Sequence, residues 1–519
     1  MSRAGNSNPV WAADIGSGMY QNPILHADYS DPDVCRVGDD FYMVASSFAH
    51  MPGLPILHST DLVNWTLINH VIARLDLPGY DRPRHGDGVW APSIRFHDGK
   101  FWVVFSTPDE GIFMSTAVDP HGEWTPLHLI KEAKGWIDPC PFWDEDGQAY
   151  LVHAFARSRC GIKHRLVLHK MSPDGKQLLD DGVLIFDGEQ DHPTMEGPKM
   201  YKRNGYYYIF APAGGVATGW QTILRSKSIY GPYEDKIVLH QGDTPINGPH
   251  QGGWVELDNG ESWFVHFQDK GAYGRIVHLQ PVQWMDDWPA MGDRIVDGTG
   301  EPVLKWKKPK SDHVAPFAIP ATSDDFDEPK LGLQWQWQSN PQQAWYSLQD
   351  HPGHIRLFAA GLPEGGTTLY DAGQLLMQKF PALAFSATAK LEFKPQHEAD
   401  QTGLVIFGLN YAYTAIRRDA QGQWSLNFVC GTEKDGSRVE EVTESRAIPE
   451  GPVYLQVHIA EGAVCRFSYS LNGSDFERIG ADFQAKEGRW VGAKVGIFAV
   501  NPASGSSQGY VDADWFVVK

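Results

Sequence analysis

Three acidic residues stand at matching points of a repeated phrase: Asp31 in Asp31-Pro32-Asp33, Asp138 in Asp138-Pro139-Cys140, and Glu196 in Glu196-Gly197-Pro198. Carboxyl side chains that meet in space can divide the work of a general acid and a general base, provided their surroundings push their proton affinities apart. Each acid is followed closely by a proline, which lacks an N–H and belongs at the first residues of a strand. The proline fixes the backbone beside the acid, so each carboxyl is held at a strand entry. A single Asp-Pro pair is an ordinary turn opener. Three acids in phase with a repeat point to a shared site.

The repeat that must bring them together has five copies. Each is a Pro-marked entry, an apolar strand, a Gly/Asp/Asn turn and an aromatic-rich return strand. The copies begin at Asp31, Trp90, Asp138, Glu196 and Pro249, and turn at Gly38-Asp39-Asp40, Asp98-Gly99, Asp144-Glu145-Asp146-Gly147, Asn204-Gly205 and Asp258-Asn259-Gly260. Such turns between β-branched and aromatic flanks make β-hairpins. A period of roughly 50–60 residues is propeller spacing, and radial repetition leaves only short edges. With the first strand of each hairpin lining the axis, all five entries open at one mouth. Asp31, Asp138 and Glu196 then meet there, with Trp90 and His250 on the other two blades.

Beyond Pro309 the pattern changes. Short alternating segments follow, such as Phe385-Ser386-Ala387-Thr388-Ala389-Lys390-Leu391-Glu392-Phe393, with no helical stretch and no catalytic constellation, which reads as a β-sandwich. The expected organisation is all-β: a loose tail over 1–20, a five-bladed β-propeller over 21–310, a Pro-bearing linker over 311–322 and a β-sandwich over 323–519.

At 519 residues the chain is too long for one core, and 42% hydrophobic with 21% charged residues is a globular composition. The net charge of −20 argues against nucleic acid as a partner but does not exclude neutral sugars. The 19 Trp, 19 Tyr and 25 Phe suit stacking on sugar faces, although most must pack strands. Five cysteines with no C-x-x-C spacing give neither a disulfide framework nor a zinc site. No H-E-x-x-H, Walker A or dinucleotide fingerprint is present. The first twenty residues carry one basic residue, Arg3, and no apolar core, and no run is apolar enough to span a membrane. A cytoplasmic protein without membrane partners is the expectation, and a homo-oligomer stays open.

Taken in order, the motifs Asn22-Pro23-Ile24-Leu25, Tyr29-Ser30-Asp31-Pro32-Asp33, Asp61-Leu62-Val63-Asn64-Trp65, Gly88-Val89-Trp90-Ala91-Pro92, Trp136-Ile137-Asp138-Pro139, Met195-Glu196-Gly197-Pro198 and Gly231-Pro232-Tyr233 carry a resemblance. Over nearly its whole length the chain resembles glycoside hydrolase family 43, five-bladed β-propeller β-xylosidases and α-L-arabinofuranosidases that invert the anomeric centre. The unit from Ser323 resembles the lectin-type (concanavalin A-like jelly roll) domain of the xylosidase-like members. The resemblance implies an exo-acting enzyme that releases xylose, arabinose or both from xylo- or arabino-oligosaccharides derived from hemicellulose. It implies Asp31 as general base, Glu196 as general acid, and Asp138 as the acid that tunes and holds Glu196. Inversion needs the two working carboxyls about 6.5–9.5 Å apart, with a water between one of them and the sugar. An ionised Asp138 is expected to raise the pKa of Glu196.

The resemblance also places Arg275 on a sugar hydroxyl in the first subsite. Trp90 and Phe48 are candidates for the pit wall. Trp220-Gln221 stand where many members have other residues, which suggests a leaving-group preference. His250 falls where the family brings a histidine near an axial calcium or other cation, a structural role; no organic cofactor is implied. Two rivals remain. A fructoside-cleaving five-bladed clan would make Asp31 a nucleophile, but its acid precedes Cys, whereas Glu196 precedes Gly-Pro. A non-catalytic sugar-binding propeller has no need of three acids. The sandwich either binds polysaccharide or braces the site with a loop, and the short linker favours bracing.

Overall fold

The computed structural model describes residues 9–310, 315–503 and 508–519. Parts of the tail and linker read from the sequence, residues 1–8 and 311–314, lie outside them. Each sequence hairpin becomes the inner half of a four-stranded antiparallel blade. Blade one is Asp33–Val37, Asp40–Val44, Gly53–Ser59 and Thr66–Ile72, and blade two Ser93–His97, Lys100–Thr107, Gly111–Ala117 and His128–Glu132. Blade three is Trp136–Trp143, Ala149–Phe155, Arg165–Met171 and Val183–Asp187. Blade four is Lys199–Arg203, Tyr206–Ala213, Trp220–Ser226 and Glu234–His240, extended by Thr299–Glu301 and Asp293–Val296. Blade five is His250–Glu256, Ser262–Asp269, Arg275–Met285 and Trp288–Met291.

The second strand of a blade has neighbours on both faces, so it reads as a continuous apolar run rather than an alternating one. Phe101-Trp102-Val103-Val104-Phe105 is buried throughout. The apolar atoms gather in five clusters, one between each pair of adjacent blades. The axis is polar instead. Asp33 Oδ2 accepts from Arg95 Nη1 at 2.6 Å and from the Ile94 N–H at 2.9 Å, joining blades one and two. Arg95 Nη2 reaches Cys140 Sγ of blade three at 3.0 Å, and the Met200 N–H of blade four donates to the same sulfur at 3.3 Å.

The ring closes through the chain start. Asn22 donates to the carbonyls of Leu279 and Val303 and accepts from the Leu279 N–H. The segment expected as a loose tail holds two short strands, Asp14–Gly16 and Met19–Gln21, the second paired with Lys305–Lys307. They are too short to show a period in sequence.

The sandwich packs an eight-stranded sheet on a seven-stranded one. In Phe385–Lys394 every second residue is buried, so Phe385, Ala387, Ala389, Leu391 and Phe393 face the core. The two domains are joined by backbone and side chain alike. Met51 and Trp337 exchange two backbone hydrogen bonds, Asn340 bonds both backbone polar groups of Leu75, and Tyr273 of the propeller enters the sandwich core, its hydroxyl donating to the Leu383 carbonyl at 2.7 Å.

Several buried histidines make this fold acid-sensitive. His26, His153 and His266 are 2%, 0% and 0% exposed, and burial pushes their pKa down to about 4, about 3 and about 4. The unfolded chain takes up these protons near pH 6.5 and the folded one does not. Their contribution is therefore complete above about pH 6.5 and is lost as pH falls, by about 2 kcal/mol each near pH 5. The melting temperature is expected to hold from about pH 8 to 6.5 and to fall steeply below; a flat profile down to about pH 5 would contradict this.

Candidate active site

All three acids lie at strand entries, as the repeat demanded, but the backbone that presents them is unusual. The residue before a proline is pushed out of the right-handed helical region. Here Asp31 and Asp138 take the left-handed one, with φ of 53° and 57°. For a non-glycine residue that costs about 1–3 kcal/mol, strain that tends to collect at functional sites. In blade four the left-handed place before Pro198 belongs to Gly197, with φ of 60°, and the acid stands one residue earlier. A Cβ on Gly197 would come within 2.7 Å of Gln251 Cγ. The bare glycine lets its N–H reach Asp138 Oδ2 at 2.7 Å.

Asp31 is buried among donors. Its Oδ2 accepts from Ser30 Oγ at 2.8 Å and Ser46 Oγ at 2.6 Å, and its Oδ1 from Arg275 Nη1 at 3.1 Å. Arg275 comes from blade five and also bonds Ser30 Oγ at 2.8 Å. Asp138 is 1% exposed. Burial, then the charges of Glu196 and Asp31, push its carboxyl well above the usual range. The Glu196 side chain is 29% exposed, and its Oε1 lies 2.8 Å from His250 Nε2. Burial alone would raise Glu196; the hydrogen bond and charge of His250, with Arg275, outweigh it and bring the carboxyl below its ordinary value. The sequence expectation had the raised group on Glu196. The structure puts it on Asp138, because Asp138 is the more deeply buried and Glu196 has the basic neighbour. The two carboxyls repel one another and titrate as a pair.

An aromatic wall stands beside the acids. Trp90 is half-buried, its Nε1 donating to the Gly86 carbonyl at 3.0 Å, and its ring meets Phe48 edge-on at 6.2 Å. Phe48 pairs its backbone with Val89, and a Cβ on Gly88 would collide with the Phe48 carbonyl at 2.3 Å. The third ring was not foreseen. Trp490, from the sandwich, lies 6.1 Å from Trp90 and 5.9 Å from the Arg275 guanidinium. It is 40% exposed. Its loop is pinned by Asp28, whose Oδ2 accepts from the Gly492 N–H and whose Oδ1 accepts from the Arg275 N–H, both at 2.9 Å. One carboxylate thus aligns the arginine of one domain and the tryptophan of the other. Asp28 lies three residues before Asp31, a signal open to a reader of the sequence; nothing local marks Trp490.

Trp220 and Gln221 begin the third strand of blade four, opposite Ala213 and Pro212. Gln221 is buried with its amide on the Thr222 carbonyl, and the Trp220 indole lies 3.5 Å from His192 and packs on the core between blades three and four. Among the described contacts neither meets a carboxyl; both pack within blade four and its boundary with blade three. His250 is fully buried against Phe267. Its Nε2 is engaged with Glu196, which leaves Nδ1, buried without a partner. A calcium ion takes six to eight oxygen ligands. Among the described residues no group of three or more His, Cys, Asp or Glu is arranged for an ion, so a cation beside His250 would draw its oxygens from other groups.

The outer face of the eight-stranded sheet is covered by its own chain. Leu362, Leu369 and Tyr370 cover Tyr411 and Tyr413, whose hydroxyls both donate to Glu440 at 2.9 Å.

Comparison with known proteins agrees with this architecture. Residues 20–289 match the family described as Glycosyl hydrolases family 43, and residues 323–519 the Beta xylosidase C-terminal Concanavalin A-like domain. A putative beta-xylosidase of Xylanibacter ruminicola is 43% identical over 493 residues, covering 93% of this chain and 86% of that protein. A non-reducing end alpha-L-arabinofuranosidase of Bacteroides ovatus is 29% identical, covering 98% of this chain and 96% of that one. The crystal structure of a xylan beta-1,4-xylosidase from Bacillus halodurans superposes with a TM-score of 0.85 at 26% identity, covering 96% of this chain and 99% of the other.

The Asp28 anchor is testable without a substrate. Asp28→Ala is expected to raise hydrogen exchange at the amides of 486–493 by about tenfold or more while leaving Phe385–Lys394 protected. Unchanged exchange in the loop would show that the anchor lies elsewhere.

Proposed function

The chain belongs to glycoside hydrolase family 43, and we propose that it removes single pentose units from the ends of hemicellulose-derived oligosaccharides with inversion, Asp31 acting as base and Glu196 as acid. The observation that carries this reading is the division of surroundings: Asp31 is buried and hydrogen-bonded to donors, while Glu196 is the one acid of the three with open surface. A carboxylate ringed by Ser30, Ser46 and Arg275 is held as an acceptor, which is what a base needs. Glu196 commits Oε1 to His250 and keeps Oε2 for the leaving oxygen.

A pentose entering the pit strips the remaining water from Glu196. Desolvation favours the neutral carboxyl, so the proton shared with Asp138 moves to Glu196 as the sugar arrives. In the step itself the water oxygen bonds the anomeric carbon and gives its proton to Asp31. The glycosidic C–O bond breaks, and the leaving oxygen takes the proton from Glu196. Arg275 Nη1 is committed to Ser30 and Asp31, which leaves Nη2 for a sugar hydroxyl.

Exo action follows from the wall. Phe48, Trp90 and Trp490 form a continuous aromatic wall beside Arg275, which favours entry of a chain end over passage of a chain middle. Such action on short oligosaccharides suits a cytoplasmic enzyme fed by import. Likeness to the beta-xylosidase of Xylanibacter ruminicola, at higher identity than to the alpha-L-arabinofuranosidase of Bacteroides ovatus, supports β-D-xylosides first and α-L-arabinofuranosides second. The closed face of the sandwich supports bracing over polysaccharide binding.

Aryl β-D-xyloside and aryl α-L-arabinofuranoside assayed side by side should both be cleaved, the xyloside with the higher kcat/KM; cleavage of neither would overturn the reading. The sugar first released, followed by NMR, is expected in the inverted configuration, and retention would point to a covalent route. Asp31→Ala should lower turnover by about 10⁴-fold on every substrate. Glu196→Ala should cost about 10²–10⁴-fold on natural glycosides and far less on aryl glycosides with good leaving groups. Equal losses on the two would remove Glu196 from the acid role.

A further inference from the structure

Beneath the acids lies a cation that the hydrolytic step leaves unused. Lys199 is 1% exposed. A lysine is almost never fully buried unless paired with an opposite charge, yet the ammonium of Lys199 has two neutral oxygens as its hydrogen-bond partners. Its Nζ donates to the Pro92 carbonyl at 2.8 Å and to Ser93 Oγ at 2.9 Å. Ser93 Oγ passes the connection on by donating to the Pro139 carbonyl at 2.7 Å. One ammonium therefore ties the strand entries of blades two, three and four. It does so next to the residue that follows Asp138 and three positions after Glu196. Taking an ammonium out of water costs several kcal/mol, which two neutral oxygens offset only in part. Negative charge must stand close by, and the carboxyl cluster is in place to supply it.

We propose that Lys199 is a positioning residue of this site, its ammonium acting with Arg275 to balance the three carboxyls so that the resting site holds one proton, shared by Asp138 and Glu196. The inference rests on the reading of Asp31, Asp138 and Glu196 as the hydrolytic acids. Set against Arg275 and Lys199 alone, the three carboxyls keep one negative charge, which one proton cancels. Other charged groups face the same elements. Asp28 accepts from the Arg275 N–H, and Asp269 stands opposite Arg275 in the blade-five sheet, so both act on the arginine rather than on Lys199. Asp33 and Arg95 neutralise each other across blades one and two at 2.6 Å. The Cys140 sulfur accepts from Arg95 and from the Met200 N–H. Gln251 brings a neutral amide to Asp138, and His250 faces Glu196. Lys163, half-buried on the loop of blade three, acts on Glu196 from the solvent side. The charge of Lys199 also opposes the upward shift of Asp138, the direction the balance requires.

Lys199→Gln keeps a donor for the Pro92 carbonyl and removes the charge; Lys199→Arg keeps the charge. Without the ammonium, each nearby carboxyl holds its proton to higher pH. Both limbs of the kcat/KM profile of Lys199→Gln are expected to move up by about one unit, about tenfold in rate at a fixed pH on the acid limb. The limbs of Lys199→Arg are expected to stay where the wild type has them. A Lys199→Gln profile lowered in height with unmoved limbs would reduce Lys199 to a structural tie and overturn the proposal. Should Lys199→Gln fail to fold, NMR of the wild-type protein with isotope-labelled lysine decides. An ammonium that stays charged across the active pH range supports the proposal, and a neutral amine overturns it. Wild-type protein inactive on both aryl pentosides would instead sink the hydrolase reading, and the NMR titration would still report on Lys199.

Discussion

A buried carboxylate must be given donors, and in this propeller each acid at the axis takes at least one of them from another blade. Asp33 of blade one is served by Arg95 and Ile94 of blade two, Asp31 by Arg275 of blade five, Asp138 of blade three by the Gly197 N–H at the entry of blade four, and Glu196 by His250 of blade five. Apolar clusters between neighbouring blades supply bulk cohesion, but such contacts are non-directional and tolerate sliding. The polar axis does not tolerate it. A blade rotated by a fraction of its width would strand a charge without a partner, at several kcal/mol per site. The geometry that sets the distances between the working acids is thus also the geometry that keeps the ring in register.

The same constraint explains what could be read from the chain beforehand. The five hairpins were legible because turn residues, prolines and aromatic return strands act locally. The grouping of Asp31, Asp138 and Glu196 was legible because a repeat converts phase in sequence into proximity at the axis. What could not be read depends on depth and on contacts between distant segments. The sharing of the proton between Asp138 and Glu196 turns on which is deeper and which touches His250, and neither is written in a motif. Trp220 and Gln221 stand out only as a departure from the family pattern, and their pairing with Ala213 and Pro212 could not be read from it. Trp490 and Lys199 carry no local mark. The one matters through the docking of a loop, the other through burial beside acids on different blades.

The sandwich is better understood as part of the site than as an appendage. Its outer sheet face is sealed by Leu362, Leu369 and Tyr370. Its junction with the propeller is built from specific hydrogen bonds at Met51, Leu75, Asp28 and Tyr273. The two domains therefore hold a fixed relation. The aromatic wall beside Arg275 inherits its stiffness from that junction and not from the propeller alone.

Trp490 has a further consequence for how the molecule comes into being. A ribosome makes the propeller before the sandwich, so the carboxyls and Arg275 are in place, and the ring can close, while the ring of Trp490 is still unsynthesised. Any nascent or prematurely terminated product would carry the reacting groups behind an unguarded entrance. The finished pocket is a late event of synthesis, set by a loop of the domain that follows the propeller.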